Sequence, residues 1–318
     1  MNRILSIIIP VFNEEGSIKL LIDRINENIN KLIKKEIISE HEIIFISDGS
    51  TDNSEKIIKE VLSKDNHIKL IVFRANFGKS KALEAGFKFA KGDIVITMDA
   101  DLQDDPKEIE RFIKKIDEGY DLVSGWKENR LDPLEKRLPS KLFNWVTSKL
   151  SGIKIHDFNC GFKAYKKEVV KSVSVYGEFH RYIPVLAKRN GFKVSEISVT
   201  HHKREHGKSK FGYERYLRGL YDALSAWFLL KYYEKPMYFF GKIGLILFLL
   251  GGLACSYLTI LWFLGNSIGT RPLLTLGVML ILIGAQFISM GLIANILIDQ
   301  DKKRVSDTLY IKEICERD

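Results

Sequence analysis

Cysteine is scarce. Three residues in a chain of 318, Cys160, Cys255 and Cys315, share no CxxC or zinc-type spacing. That excludes a disulfide-stapled domain and makes a reducing compartment the default. A secretory leader is not expected either: the first apolar run, Ile4–Val11, is too short for one and contains Pro10. Gly78-Lys79-Ser80 looks like the end of a phosphate-binding P-loop, but the first glycine that motif requires would fall at Phe73. Disorder is excluded because 46% of the residues are apolar.

The apolar residues are unevenly spread. Mean hydropathy is −0.05, yet neither Ile243–Leu264 nor Leu273–Ile298 holds a charged side chain. Each window is long enough to cross about 30 Å of hydrocarbon. With only Gly265–Pro272 between them, they predict a two-helix transmembrane hairpin within 237–300. Lys231, Lys235 and Lys242 precede it and Lys302, Lys303 and Arg304 follow, against Arg271 in the turn. The positive-inside rule then puts both chain ends, the segment before the hairpin and the tail 301–318, in the cytoplasm. Gly277, Gly284 and Gly291 recur every seven residues, a stripe for close helix contact within the hairpin or between subunits of a homo-oligomer. Gln286 and Asn295 are expected to hydrogen-bond between helices.

The first part of the chain alternates. Strand-like Ile/Val runs occur at Ile4–Val11, Ile43–Ser47, Ile68–Phe73, Ile94–Met98 and Asp121–Ser124. Amphipathic stretches lie between them at Ser17–Asn30, Ser54–Leu62, Ser80–Ala90 and Pro106–Glu118. This order predicts an α/β fold, a mostly parallel sheet with helices on both faces. Ligands in such folds bind beyond the carboxyl ends of the strands. There the sequence places Pro10-Val11-Phe12-Asn13-Glu14-Glu15, Asp48-Gly49-Ser50-Thr51-Asp52, Asn76-Phe77-Gly78-Lys79 and Asp99-Ala100-Asp101-Leu102-Gln103. Asp99 and Asp101 are two apart, and neighbouring carboxylates repel unless a cation lies between them. Mg²⁺ or Mn²⁺ takes one or two protein carboxylates and completes its shell with water and substrate phosphates, so the spacing suits a metal–diphosphate clamp.

These motifs, with Asp157-Phe158-Asn159-Cys160-Gly161-Phe162 and Arg204-Glu205-His206-Gly207-Lys208-Ser209-Lys210, resemble the GT-A (Rossmann-like) glycosyltransferases of family 2. The similarity is to the polyprenyl-phosphate branch, that of dolichol-phosphate mannose synthase and bactoprenol glucosyltransferase. It implies a catalytic domain over 1–210, interfacial helices over 211–236 and the membrane hairpin. By resemblance, Pro10, Phe12, Glu14, Asp48, Lys79 and Asp99 would bind the nucleotide sugar, and Asp99, Asp101 and Gln103 the metal. Lys127, Arg130, Arg137, Ser140, Arg204, Ser209 and Lys210 would meet the acceptor phosphate. Asp157, Asp101 and Arg204 would act in catalysis. Many relatives carry Tyr where Phe12 stands; the ring is kept and a hydroxyl lost. No Trp here lies in the Gln-x-x-Arg-Trp motif of processive synthases, which favours one sugar per turnover.

The acceptor decides whether a base is needed. A hydroxyl would require one, whereas a polyprenyl phosphate is mostly dianionic at pH 7, its second pKa being about 6. Asp157 therefore reads as an orienting or auxiliary group. The net charge of +9 is partly gathered in His201–Arg218, where Phe211, Tyr213 and Tyr216 are interleaved with basic residues. Because an apolar aromatic stretch follows directly, an interfacial helix explains that order better than nucleic acid does. His201, His202 and His206 lack a fourth zinc ligand. The expected reaction moves one sugar, from a UDP-hexose such as UDP-glucose, to undecaprenyl or dolichyl phosphate, with inversion and with Mg²⁺ or Mn²⁺. A glycerolipid hydroxyl acceptor and a non-catalytic scaffold are the alternatives.

Overall fold

The computed structural model describes residues 3–128, 144–145, 147–149, 151–173, 175, 179–202, 228, 231–232, 235–269, 271–303 and 311–315. The chain divides into two compact units, 1–227 with 308–318, and 228–307.

The larger unit is built on one mixed sheet. Its strands are β1 (Ile4–Val11), β2 (Glu40–Ser47), β3 (Ile68–Phe73), β4 (Ile94–Thr97), β5 (Leu122–Trp126), β6 (Lys163–Lys166), β7 (Val194–Ser198) and β8 (Ile311–Cys315). They lie in the order β7-β5-β6-β4-β1-β2-β3-β8. β1, β2, β3 and β4 run parallel, as do β5 and β7. β6 is antiparallel between β4 and β5, and β8 is antiparallel on the outer edge of β3.

Helices cover both faces, so the strands read as unbroken apolar runs rather than alternating ones. Leu5, Ile7 and Ile9 of β1 and Ile43 and Phe45 of β2 pack in one core with α1 (Ile18–Lys34) and α4 (Ile109–Asp117). α1 contributes Ile18, Leu21, Ile22, Ile25, Ile29 and Leu32, a helical spacing that sets one face against the sheet. Ile8 and Ile46 point the other way, against Gly86 of α3 (Lys79–Phe89). α2 (Ser54–Leu62), α5 (Lys167–Ser172) and α6 (Ile183–Arg189) complete the layers. The helical stretch expected at Pro106–Glu118 is a 3₁₀ turn over Pro106–Glu108 followed by α4. Asp105 caps it by accepting from Lys107 N at 3.0 Å.

At the strand ends opposite the site, Glu42 organises a buried polar network. Its Oε1 accepts from Ser6 Oγ at 2.5 Å and Lys91 N at 2.6 Å, and its Oε2 lies 3.3 Å from Lys69 Nζ. Ser6 Oγ in turn accepts from Gly92 N at 2.8 Å.

The smaller unit contains α7 (Pro236–Phe263) and α8 (Pro272–Lys303). Pro236–Phe263 and Pro272–Ile298 are each long and apolar enough to cross a membrane. The glycine stripe is used inside the hairpin: a Cβ on Gly244 would stand 2.6 Å from Gly284 O, and one on Gly251 2.6 Å from Gly277 O. Only residues without side chains let the two backbones approach so closely. Gln286 and Asn295 do not bridge the helices as expected; both are exposed on α8, because the glycine seam makes that contact.

Candidate active site

The strand order reverses between β1 and β4, with β2 and β3 lying beyond β1 and β6 beyond β4. The segments after these two strands open the crevice at which open α/β sheets bind ligands. On the β1 side, Asn13 turns the chain with φ 57°, a conformation that Asn tolerates better than most residues. Its Oδ1 accepts from Thr51 N at 2.7 Å, and Glu14 N donates to Ser54 Oγ at 2.9 Å. Asn53 N donates to Glu15 Oε2 at 2.9 Å. The loops after β1 and β2 are thus one hydrogen-bonded structure. Phe12, at the start of it, is 37% exposed. Pro10 and Glu14 are half-buried on the same edge. Asp48 is 5% exposed, and its two oxygens accept from Phe77 N at 2.7 Å and Gly78 N at 2.9 Å. Asp48 therefore shapes the loop that leads into α3.

On the β4 side the acidic pair lies in the loop just beyond the strand. Leu102 is buried and takes φ 61°, and Gln103 N donates to Asp101 Oδ1 at 3.2 Å. This tight turn carries Asp99, Asp101 and Gln103 on one short segment. Lys79, at the start of α3, reaches Asp99 Oδ1 at 2.5 Å. Lys127 pairs with the fully buried Asp104 at 2.9 Å, and Asp104 Oδ2 accepts from Asp99 N at 3.2 Å.

The charges act on one another. Burial alone would raise the pKa of Asp99, but the Lys79 and Lys127 ammonium groups hold it down at about 2. Burial, followed by the charges of Asp99 and Asp104, pushes Asp101 up to about 6. Burial would lower Lys127, yet Asp104 and Asp99 hold it above its ordinary value. Asp101 therefore sits in a local excess of negative charge, next to a pair already neutralised by Lys79. Such a site fits a divalent cation bound by two carboxylates and the Gln103 side chain, with the remaining positions left to water and phosphate oxygens. Among the described residues no group of three or more His, Cys, Asp or Glu side chains could by itself hold a metal ion.

Two contributors, Lys163 and His180, have no motif of their own. Lys163 is 3% exposed in β6 and its ammonium donates to the carbonyls of Phe158 and Cys160, fixing the loop that carries Asp157. Asp157 is 2% exposed and accepts from Asn159 N at 3.1 Å. His180, in the 3₁₀ turn Phe179–Arg181, places Nδ1 2.9 Å from Ser80 Oγ in the first turn of α3. Burial, then the charge of Lys79, lowers its pKa far enough to keep the imidazole neutral. Sequence spacing carries no signal for Lys163 or His180, since the strand that holds Lys163 shows no apolar period. Lys127 is placed as described, while Arg130, Arg137, Ser140, Arg204, Ser209 and Lys210 lie outside the described residues.

Gly161 packs directly on the ion pair. A Cβ there would stand 2.7 Å from Asp99 Oδ2 and 2.8 Å from Lys79 Nζ. Gly161→Ala is expected to lower turnover by about tenfold or more, since sub-ångström misplacement of a positioned group is costly. Steady-state assay alongside thermal unfolding checks this, with the melting midpoint moving little.

A mixed sheet of this order, with paired carboxylates and a lysine at its switch point, defines a GT-A glycosyltransferase. The chain belongs to glycosyl transferase family 2, whose model matches residues 6–174. It is 37% identical over 302 residues to a dodecaprenyl-phosphate galacturonate synthase of Rhizobium johnstonii, covering 92% of this chain and 87% of that one. It is 33% identical over 293 residues to an undecaprenyl-phosphate 4-deoxy-4-formamido-L-arabinose transferase of Proteus mirabilis, covering 91% and 87%. In fold it is similar to glucosyl-3-phosphoglycerate synthase from Mycobacterium tuberculosis, solved with Mn²⁺, UDP and phosphoglyceric acid. That match has a TM-score of 0.53 at 20% identity and covers 72% of this chain and 78% of that one.

Proposed function

We propose that this chain transfers one sugar from a nucleotide-diphosphate donor to a polyprenyl phosphate at a membrane surface, with a divalent cation and with inversion. The observation that carries the reading is the Asp99/Asp101 pair, with the Lys79 ammonium 2.5 Å from Asp99, at the β1/β4 switch point. The two relatives act on dodecaprenyl and undecaprenyl phosphate by name, and the two apolar helices supply the membrane association that such an acceptor demands.

The acceptor phosphate oxygen attacks the sugar C1, the bond from C1 to the donor's diphosphate breaks, and the nucleoside diphosphate departs. A bound Mg²⁺ or Mn²⁺ would supply Lewis-acid stabilisation of the leaving diphosphate, held by Asp99, Asp101 and Gln103. Lys79 adds positive charge beside the same group. Pro10, Phe12, Glu14 and Asp48 border the nucleotide. The nucleophile already carries its charge, so no residue need remove a proton, and Asp157 orients its loop. The acceptor anion falls to Arg130, Arg137, Ser140, Arg204, Ser209 and Lys210, while the Lys127 ammonium is spent on the buried Asp104. The lysines that flank the hairpin support a cytoplasmic catalytic domain and cytoplasmic termini.

The relatives' sugars, galacturonate and 4-deoxy-4-formamido-L-arabinose, favour a modified donor over plain UDP-glucose. A panel of UDP-linked glucose, galacturonate and formamido-arabinose, incubated with the purified chain, Mg²⁺ and undecaprenyl phosphate, tests this. One modified sugar should appear on lipid, and exclusive use of UDP-glucose would restore the hexose reading.

A further inference from the structure

Gly78 gives α3 no side chain to cap its first turn, so that turn must be held by other means. From one side, Asp48 accepts from Phe77 N at 2.7 Å and Gly78 N at 2.9 Å. From the other, Ser80 is tied twice to the 3₁₀ turn Phe179–Arg181. His180 N donates to Ser80 Oγ at 3.2 Å, and His180 Nδ1 lies 2.9 Å from the same oxygen. That turn is itself anchored: Phe179 and Tyr182 are buried, their rings meet edge to face at 6.0 Å, and Tyr182 N donates to Phe179 O at 2.8 Å. Lys79 stands between the two fastenings in the chain.

The hydrogen bonds assign the ring's tautomer. Ser80 is 2% exposed, and among the described residues its hydroxyl has one acceptor, His180 Nδ1. A hydroxyl carries a single hydrogen and accepts at its lone pairs. The His180 amide takes one of those, so the Ser80 hydrogen goes to Nδ1. The neutral ring then carries its proton on Nε2. A protonated imidazole would lose this bond, because both of its nitrogens donate. Burial, then the Lys79 charge, keeps the ring in the neutral form that can accept.

The fastening ends beside the acidic pair. Lys79 precedes Ser80 directly, and its ammonium stands 2.5 Å from Asp99 Oδ1. A lysine that must meet the departing diphosphate depends on where its backbone is fixed, and a displacement of about 1 Å can cost 10²-fold in rate. We infer that Ser80 and His180 are positioning residues for Lys79, the imidazole accepting the Ser80 hydroxyl and so fixing the turn that carries the lysine. This rests on the function proposed above. Both residues act through that turn, and neither is assigned a reacting atom.

The test uses the full-length protein with its preferred sugar nucleotide, Mg²⁺ and undecaprenyl phosphate. His180→Phe keeps a ring and removes the acceptor; kcat/KM for the donor should fall by about tenfold or more. The acceptor KM should stay within about twofold, which a general loss of structure would not produce. His180→Asn, whose side-chain oxygen can stand near the place of Nδ1, should recover most of the lost activity. His180→Gln, whose polar end reaches toward the place of Nε2, should not. Ser80→Ala breaks the same contact from the other side and should show the same loss, so the test does not depend on His180→Phe folding. In a Lys79→Met background, His180→Phe should cost no more than about a further twofold, because both changes disable one group. Wild-type kinetics in Ser80→Ala, failure of His180→Asn to recover activity, or full additivity with Lys79→Met overturns the positioning role while the functional reading stands. Failure of the wild-type chain to glycosylate undecaprenyl phosphate overturns the functional reading first, and the positioning role with it.

Discussion

Asp101→Asn should reduce lipid glycosylation by about 10²–10³-fold, the scale on which removing one preorganised electrostatic contact slows an enzyme. The folded chain should be as stable as wild type or more so. Both expectations come from the same environment. Burial and the neighbouring charges of Asp99 and Asp104 push the Asp101 carboxyl up to about 6, so its negative charge is resisted by the fold and is sustained by what binds there. Amide substitution relieves the repulsion and removes an anionic ligand at once. Asp99→Asn differs, because Asp99 is the partner of Lys79 at 2.5 Å; it should lose activity and some stability together. Product formation and thermal unfolding, measured side by side on both variants, separate the two carboxylates. An active Asp101→Asn enzyme would remove the acidic pair from the mechanism.

Glu42→Ala should cost about 3–5 kcal/mol of folding stability, the usual consequence of removing one partner from a buried charged network. Lys69, whose side chain is 11% exposed, would lose the Glu42 carboxylate. Ser6 Oγ and Lys91 N would both lose their acceptor. For a chain of this size the melting midpoint should fall by roughly 10 °C. Because the network lies at the strand ends away from the crevice, the KM values of the folded fraction should be unchanged. Thermal unfolding in detergent checks the first point and steady-state kinetics at low temperature the second.

The central strands were legible because burial on both faces leaves continuous Ile/Val runs, as in Ile7-Ile8-Ile9 and Ile43-Ile44. The crevice was legible for a related reason: polar, glycine-bearing segments end those same strands, and topology brings strand ends together. The two apolar helices could be read from length and composition alone. β6 and β7 could not, since four- and five-residue strands bearing Lys163, Lys166 and Glu196 show no apolar period. Their pairing depends on partners far away in sequence. β8 was hidden in the same way, being joined to β3 only after the hairpin intervenes.

Among site residues, the paired aspartates carried a chemical signature that spacing could reveal. The roles of Asp48 and Lys127 did not. Asp48 spends its two oxygens on the Phe77 and Gly78 amides, and Lys127 is paired with Asp104. Both are tertiary contacts between segments whose separation in sequence gives no hint of their meeting. The glycine stripe was legible as a packing surface, and Gly244 and Gly251 of α7 supply the partner.

The central claim is that a phosphate, and not a hydroxyl, receives the sugar at a cation-dependent site. The most direct measurement is mass spectrometry of lipid products from the purified chain, given its sugar nucleotide and equal amounts of undecaprenyl phosphate, undecaprenol and diacylglycerol, with and without Mg²⁺. The account predicts a single-sugar phosphodiester of undecaprenyl phosphate that disappears with EDTA and with Asp101→Asn. Product on diacylglycerol or undecaprenol, or equal phosphodiester formation in EDTA, would contradict it.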